Sequence, residues 1–151
     1  MDILLIEDSP GDVRLAREAF LASDKPFRLH VACDGVEAME FLLHDNLPRP
    51  DLILLDLNLP KINGRELLIR LKNDDNLKTI PTVVLSTSDA EDDVRYCYRQ
   101  HATCYIKKPD QWDAFARVVG LVNDFCQLAI KPQDSPADYI LRKIVADRFY
   151  F

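Results

Sequence analysis

Three acidic residues, Glu7, Asp8 and Asp56, carry the first chemical signal in this chain, because each stands where a strongly apolar run stops. Ile3-Leu4-Leu5-Ile6 runs into Glu7-Asp8, and Leu52-Ile53-Leu54-Leu55 runs into Asp56. Carboxylates held close together raise one another's pKa unless a cation neutralises them. Oxygen-only ligands, with no His or Cys beside them, favour a hard ion such as Mg²⁺. If the two runs are neighbouring strands, their ends form a divalent-metal carboxylate pocket.

Continuous aliphatic runs of this length, bounded by turn residues, read as strands buried on both faces, as in parallel sheets. In open α/β sheets, ligands bind beyond the carboxyl ends of the strands, where the winding reverses. The remaining elements alternate. Strands are expected at 2–7, 27–32, 51–56, 80–85 and 103–107. Helices are expected at 10–20, 34–45, 65–73, 89–99 and 110–128. Ser9 is placed to cap the first helix with Pro10 at its first position. Val13, Ala16, Ala19 and Phe20 form its apolar face, and Val36, Met39, Leu42 and Leu43 that of the second. The run 27–32 alternates Phe27, Leu29 and Val31 with Arg28 and His30, which marks a half-exposed edge strand. Pro60 and Asn63-Gly64 mark a loop after the third strand. Five βα units imply a parallel sheet with right-handed crossovers, an α/β doubly wound fold.

The 151 residues fit one domain, with 48% hydrophobic and 29% charged residues, as expected of a folded core. No apolar run reaches the length of a membrane span, and no basic region precedes the first apolar stretch, so a cytoplasmic protein is expected. A net charge of −6 argues against broad nucleic-acid binding. Cys33, Cys97, Cys104 and Cys126 form no C-x-x-C, which argues against zinc and thioredoxin-type chemistry and leaves small core or surface thiols. No glycine-rich turn follows the first strand, which disfavours a dinucleotide enzyme.

Taken in order, Glu7-Asp8, Asp56 followed by Asn58-x-Pro60, Asn63-Gly64, a hydroxyl residue after the fourth strand, and Lys108-Pro109 after the fifth resemble a two-component receiver domain over about residues 1–128. The stretches Ile6 to Asp12, Asp56 to Pro60 and Leu85 to Ser88 look most like the stand-alone regulators that accompany bacterial and cyanobacterial phytochromes. The resemblance implies a flavodoxin-like (βα)5 sheet of order 2-1-3-4-5. It implies that Asp56 accepts a phosphoryl group from a histidine kinase, with Mg²⁺ held by Asp8 and Asp56, by the Asn58 carbonyl, and by Glu7 through water. Lys108 would reach the phosphoryl oxygens as a point charge. Ser86 takes the switch-hydroxyl position, counted from Pro81, and Thr87 occupies the next position, usually a small residue. Tyr105 matches the aromatic switch residue, which moves inward when Ser86 is drawn to the phosphate. Receiver domains usually show a cis bond where Lys108-Pro109 stands, although cis is a minority state for X–Pro bonds in general. Such a protein is a self-phosphorylating phosphoacceptor rather than a conventional enzyme.

Two other functions compete. A Mg²⁺-dependent aspartyl phosphatase would want a second acid two residues after the nucleophile, where Asn58 stands. A receiver-like interaction module that is never phosphorylated would not need the full set of Glu7, Asp8, Asp56, Ser86 and Lys108.

Residues 1–130 are read as the receiver domain and 131–151 as a C-terminal arm. The hinge from Lys131 to Pro136 is turn-rich, and Ser135-Pro136 can open a short helix. Ile140, Leu141, Ile144, Val145 and Phe149 form an apolar stripe at helical spacing, and the chain ends Phe149-Tyr150-Phe151. A helix this short is marginal alone in water, so the stripe needs a surface to dock on. Docking on its own domain and docking on a partner subunit are both open to it. A homodimer through the arm is the expectation, since five helices would already cover both faces of the sheet.

Overall fold

The computed structural model describes residues 1–108 and 112–128. The Lys108-Pro109 bond, the hinge, the apolar stripe of the arm and the Cys126 side chain lie outside what it describes. Five strands alternate with five helices: β1 (Asp2–Ile6), α1 (Pro10–Leu21), β2 (Arg28–Ala32), α2 (Gly35–Leu43), β3 (Leu52–Asp56), α3 (Gly64–Asn73), β4 (Thr82–Ser86), α4 (Glu91–Arg99), β5 (Cys104–Lys107) and α5 (Trp112–Leu128). All strand pairings are parallel and the order is β2-β1-β3-β4-β5. This is a doubly wound, flavodoxin-like sheet, with β2 and β5 at the edges.

The aliphatic runs feed two cores at once, because successive side chains of a strand point to opposite faces. Leu4, Ile6, Ile53 and Leu55 face one way and pack with Ala38, Leu67, Leu68, Leu71 and Cys97. Ile3, Leu5, Leu52 and Leu54 face the other and pack with Ala16, Ala19, Phe20, Phe115, Val118 and Val119. Every residue of β1 and β3 is buried. Each fully buried Leu or Ile contributes roughly 1.5–3 kcal/mol, so these two strands anchor the fold.

Several sequence expectations shift. The inward face of α2 is Gly35 and Ala38, with Met39, Phe41 and Leu42 partly buried, whereas Val36 and Leu43 are 38% and 61% exposed. The reason is steric: a Cβ on Gly35 would lie 2.7 Å from Ile62 Cβ, so the helix approaches the β3–α3 loop through its glycine. β4 begins two residues later than expected and includes Ser86. In α4, Cys97 is buried and Tyr96 packs on the core, while Tyr98 is 48% exposed. The capping residues behave as their types require. Ser9 Oγ accepts from the Asp12 amide, Asp34 Oδ1 from Val36 and Glu37, and Asn63 Oδ1 from Glu66. Burial pushes the Cys97 thiol up to about 11, which fits an inert core thiol.

Candidate functional site

Strand register brings the acidic ends together. Ile6 pairs with Leu55, so Glu7 leaves β1 beside Asp56. Asp56 pairs with Leu85, and Ser86 pairs with Lys107, so Ser86 and Lys108 follow at the same rim. The Lys108 amide donates to the Ser86 carbonyl at 2.6 Å, which fastens the end of β5 to the end of β4. Glu7, Asp56, Ser86 and Lys108 are all buried, while Asp8 stands exposed at the mouth.

One oxygen from each of Glu7, Asp8 and Asp56 lies within 4.8 Å of the others. This cluster of three carboxylates has the donor set and spacing to hold a hard divalent cation. The Asn58 amide donates to Asp56 Oδ1 at 3.0 Å, and Lys108 Nζ donates to Asp56 Oδ2 at 3.0 Å. Glu7 is held by both of its oxygens, Oε1 by the Ser9 amide at 3.0 Å and Oε2 by Lys108 Nζ at 2.5 Å. Burial pushes the Glu7 carboxyl above its ordinary range, and the neighbouring Asp56 adds to the rise. Burial alone would lower the Lys108 pKa, but bonds to Asp12, Glu7 and Asp56 outweigh it and hold the ammonium above the usual lysine value.

The motifs assign Asp12 no role, yet its Oδ2 lies 2.7 Å from Lys108 Nζ. The signal was available in Ser9-Pro10. That opening makes Asp12 the third residue of α1, and helical Cα–Cβ bonds lean back toward the N-terminus, here toward the site. In the sequence, Asn63-Gly64 marks a turn. The φ of Gly64 is not positive, and its function is close approach: a Cβ there would lie 2.3 Å from the Asp56 carbonyl oxygen and 2.4 Å from Leu57 Cα. The Gly64 amide donates to the Leu57 carbonyl at 3.0 Å, which docks the start of α3 under the end of β3. In the same loop Lys61 has φ 61°, and its ammonium bonds Asp34 Oδ2 at 2.5 Å, tying the loop to α2.

On the other side of the rim, Ser86 ends β4 with 1% exposure and Thr87 is exposed. The Ser88 amide donates to Ser86 Oγ at 3.2 Å. The hydroxyl of half-buried Tyr105 donates to the Ser88 carbonyl at 2.7 Å. Ser88 Oγ donates to Asp93 Oδ2 at 2.6 Å, and Asp93 forms an ion pair with Arg65, which lies over the Tyr96 ring. Lys107, by contrast, points out to Asp89 at 2.6 Å.

The fold and this rim define a receiver-type phosphorelay domain, and comparison with known proteins agrees. The family model of the response regulator receiver domain matches residues 3–119. Response regulator Rcp1 of Synechocystis sp. is 44% identical over 135 residues, 86% of this chain and 92% of Rcp1. The crystal structure of Mn²⁺-bound Rcp1 superposes with a TM-score of 0.78 at 42% identity, covering 86% of this chain and 96% of that one. The phosphorylated cyanobacterial phytochrome response regulator RcpA superposes with a TM-score of 0.79 at 43% identity and the same coverage. The chain belongs to the response regulator receiver domain family, and its function is that of a two-component response regulator.

Proposed function

We propose that Asp56 is the phosphoacceptor, that Mg²⁺ is the cation of the carboxylate cluster, and that the donor is a histidine kinase of the phytochrome type. The observation that carries this reading is the 3.0 Å bond from Lys108 Nζ to Asp56 Oδ2, made beside a cluster of Glu7, Asp8 and Asp56 oxygens. A carboxylate oxygen of Asp56 attacks phosphorus, the P–N bond of the phosphohistidine breaks, and the imidazole leaves with the electron pair. Asp56 is left as an acyl phosphate. Phosphoryl transfer asks mainly for positioning and charge neutralisation. Lys108 supplies one fixed positive charge, the Asn58 amide orients Asp56, and Asp8, Asp56 and the Asn58 carbonyl would hold the cation, with Glu7 acting through water. When bound, the cation offsets negative charge on the phosphoryl oxygens. The Mn²⁺ bound to Rcp1 supports a divalent cation at the cluster, and the phosphorylation of RcpA supports phosphoryl acceptance.

A cleft of about 460 Å³ opens beside the acids, between α1 and β2, with Pro10, Val13 and Val31 in its lining. It gives a donor segment an apolar seat next to Asp8. Phosphorylation is then read through Ser86 and Tyr105 and passed on by protein–protein contacts, without turnover of a separate substrate. A cytoplasmic location, the absence of nucleic-acid binding and a homodimer through the arm complete the reading. Among the described residues no helix is long and apolar enough to cross a membrane.

The deciding experiment is incubation with Mg²⁺ and acetyl phosphate, read by intact mass. Gain of one acid- and base-labile phosphoryl group is expected, dependent on the cation and abolished in Asp56→Asn. Undiminished labelling of Asp56→Asn refutes the assignment.

A further inference from the structure

Three carboxylates share the Lys108 ammonium: Glu7 Oε2 at 2.5 Å, Asp12 Oδ2 at 2.7 Å and Asp56 Oδ2 at 3.0 Å. Glu7 and Asp56 accept hydrogen bonds from this ammonium, and Asp12 forms an ion pair with it. The three acceptors are not equivalent. Glu7 and Asp56 belong to the oxygen cluster suited to a cation, and Asp12 does not. Asp12 also sits on a different element, in the first turn of α1, whose start is fixed by the Ser9 cap and Pro10. A cation or a phosphoryl group at the cluster would compete for Glu7 and Asp56 oxygens, whereas the Asp12 ion pair lies outside that cluster.

We propose that Asp12 is a positioning residue for phosphoryl transfer, keeping the Lys108 ammonium aimed at the rim while its other two partners change. The inference rests on Asp56 being the acceptor. Lys108 ends a flexible four-carbon stem, and a lysine without a fixed partner has many rotamers to search. With Asp12 as pivot, the ammonium moves its other two donors from carboxylate to phosphoryl oxygens without that search. Electrostatics works in the opposite sense. Asp12 adds a fourth negative charge beside Glu7, Asp8 and Asp56, and its removal would by charge alone favour an incoming phosphoryl group. Asp12 is 30% exposed, so solvent screens this repulsion, whereas Lys108 is 7% exposed and depends on its partners for orientation. The two effects predict opposite signs, and positioning is the stronger one here.

The test uses the full chain at saturating Mg²⁺ and acetyl phosphate, with the labelling rate read by intact mass and Mg²⁺ affinity by calorimetry. Asp12→Ala is expected to slow labelling about tenfold, as a misaimed group does, with Mg²⁺ affinity unchanged or tighter. Asp12→Asn, which keeps an acceptor of the same shape, falls between wild type and Asp12→Ala. In a Lys108→Ala background, Asp12→Ala changes the rate by less than about twofold, because the coupling runs through the missing ammonium. In the metal-free protein, the ¹⁵Nζ signal of Lys108 in labelled samples shifts in Asp12→Ala and stays near its wild-type position in Asp12→Asn. Labelling of Asp12→Ala or Asp12→Asn that is as fast as wild type, or faster, overturns the proposal. So does a full tenfold loss that persists without Lys108. Absence of any labelling in wild type overturns the acceptor assignment instead, and that result is distinct from a wild-type chain that labels and an Asp12 variant that labels equally well.

Discussion

The Tyr105 hydroxyl and the Ser88 carbonyl are 2.7 Å apart, and the Ser88 amide in turn donates to Ser86 Oγ at 3.2 Å. Ser88 therefore joins the hydroxyl at the end of β4 to the aromatic ring of β5 through its own peptide groups. With Ser86 as the proposed switch hydroxyl, its displacement toward a phosphoryl group would withdraw the acceptor from the Ser88 amide and shift the carbonyl that holds Tyr105. Ser86→Ala should uncouple phosphorylation from the Tyr105 environment, followed by NMR of ring-labelled tyrosine. Thr87→Ala should leave the coupling intact. Thr87→Gly should speed dephosphorylation about 2–5-fold, the rate equivalent of ~0.5–1 kcal/mol, by opening the acyl phosphate to water. Exchange of the Ser86 and Thr87 phenotypes would move the switch hydroxyl by one residue.

Asp8 is the exposed member of the carboxylate cluster. Asp8→Asn keeps its size and removes its charge. Divalent-cation affinity measured by calorimetry should fall about tenfold or more, ~1.4 kcal/mol. Unchanged Mg²⁺ affinity would remove Asp8 from the ligand set.

Gly64 has backbone where a side chain would go. Gly64→Ala should destabilise the fold by ~1–3 kcal/mol through overpacking against Asp56 and Leu57. Gly120 offers the contrast, since nothing lies within 4 Å of a Cβ built there. Gly120→Ala should stabilise α5 by about 0.5–1 kcal/mol. Thermal denaturation of both variants checks the pair. Equal midpoints would show that the start of α3 yields without cost.

Asp2 marks the opposite end of the sheet, with Oδ1 2.8 Å from His30 Nε2 and Oδ2 2.6 Å from Arg28 Nη2. Burial alone would raise its pKa, but the bonds from His30 and Arg28 outweigh burial and lower it. A carboxyl whose folded pKa lies below its unfolded value of about 4 contributes stability above that pH and loses it as pH falls through the folded value. Asp2→Asn should therefore cost about 1–2 kcal/mol at pH 7. The difference from wild type should shrink as pH falls below about 4. Urea unfolding at several pH values decides the point, and a gap that stays constant down to pH 3 would exclude the charge as its source.

Ile140, Leu141, Ile144, Val145 and Phe149 recur at helical spacing, with Tyr150 and Phe151 beyond them, and we propose that they mark an interaction site. We expect a homodimer in which residues 136–151 pack on the partner. Light scattering on the full chain and on a chain ending at Ile130 tests this. A monomeric full-length chain at micromolar concentration refutes the dimer, and equal dimerisation of the two chains removes the arm from its interface.

The sequence by itself determined the order of elements, the two-faced burial of β1 and β3, and the convergence of Glu7, Asp8 and Asp56. The reason is local. A continuous aliphatic run reads as a buried parallel strand, and a carboxylate just past its end has to stand at the sheet's rim. Ser9-Pro10 and Asn63 likewise carry their capping chemistry in their types. Tertiary structure alone decided the matters that depend on separate segments meeting. Asp12 meets Lys108 where α1, packed with α5 on one face of the sheet, starts at the same rim at which β5 ends. Val36 and Leu43 turn outward because α2 reaches the loop through Gly35. Gly64 is required by the backbone of Asp56 and Leu57, and nothing in its own neighbourhood of sequence states this. Periodicity reports which face of an element is apolar, whereas the distance to a neighbouring backbone is set by how the faces pack.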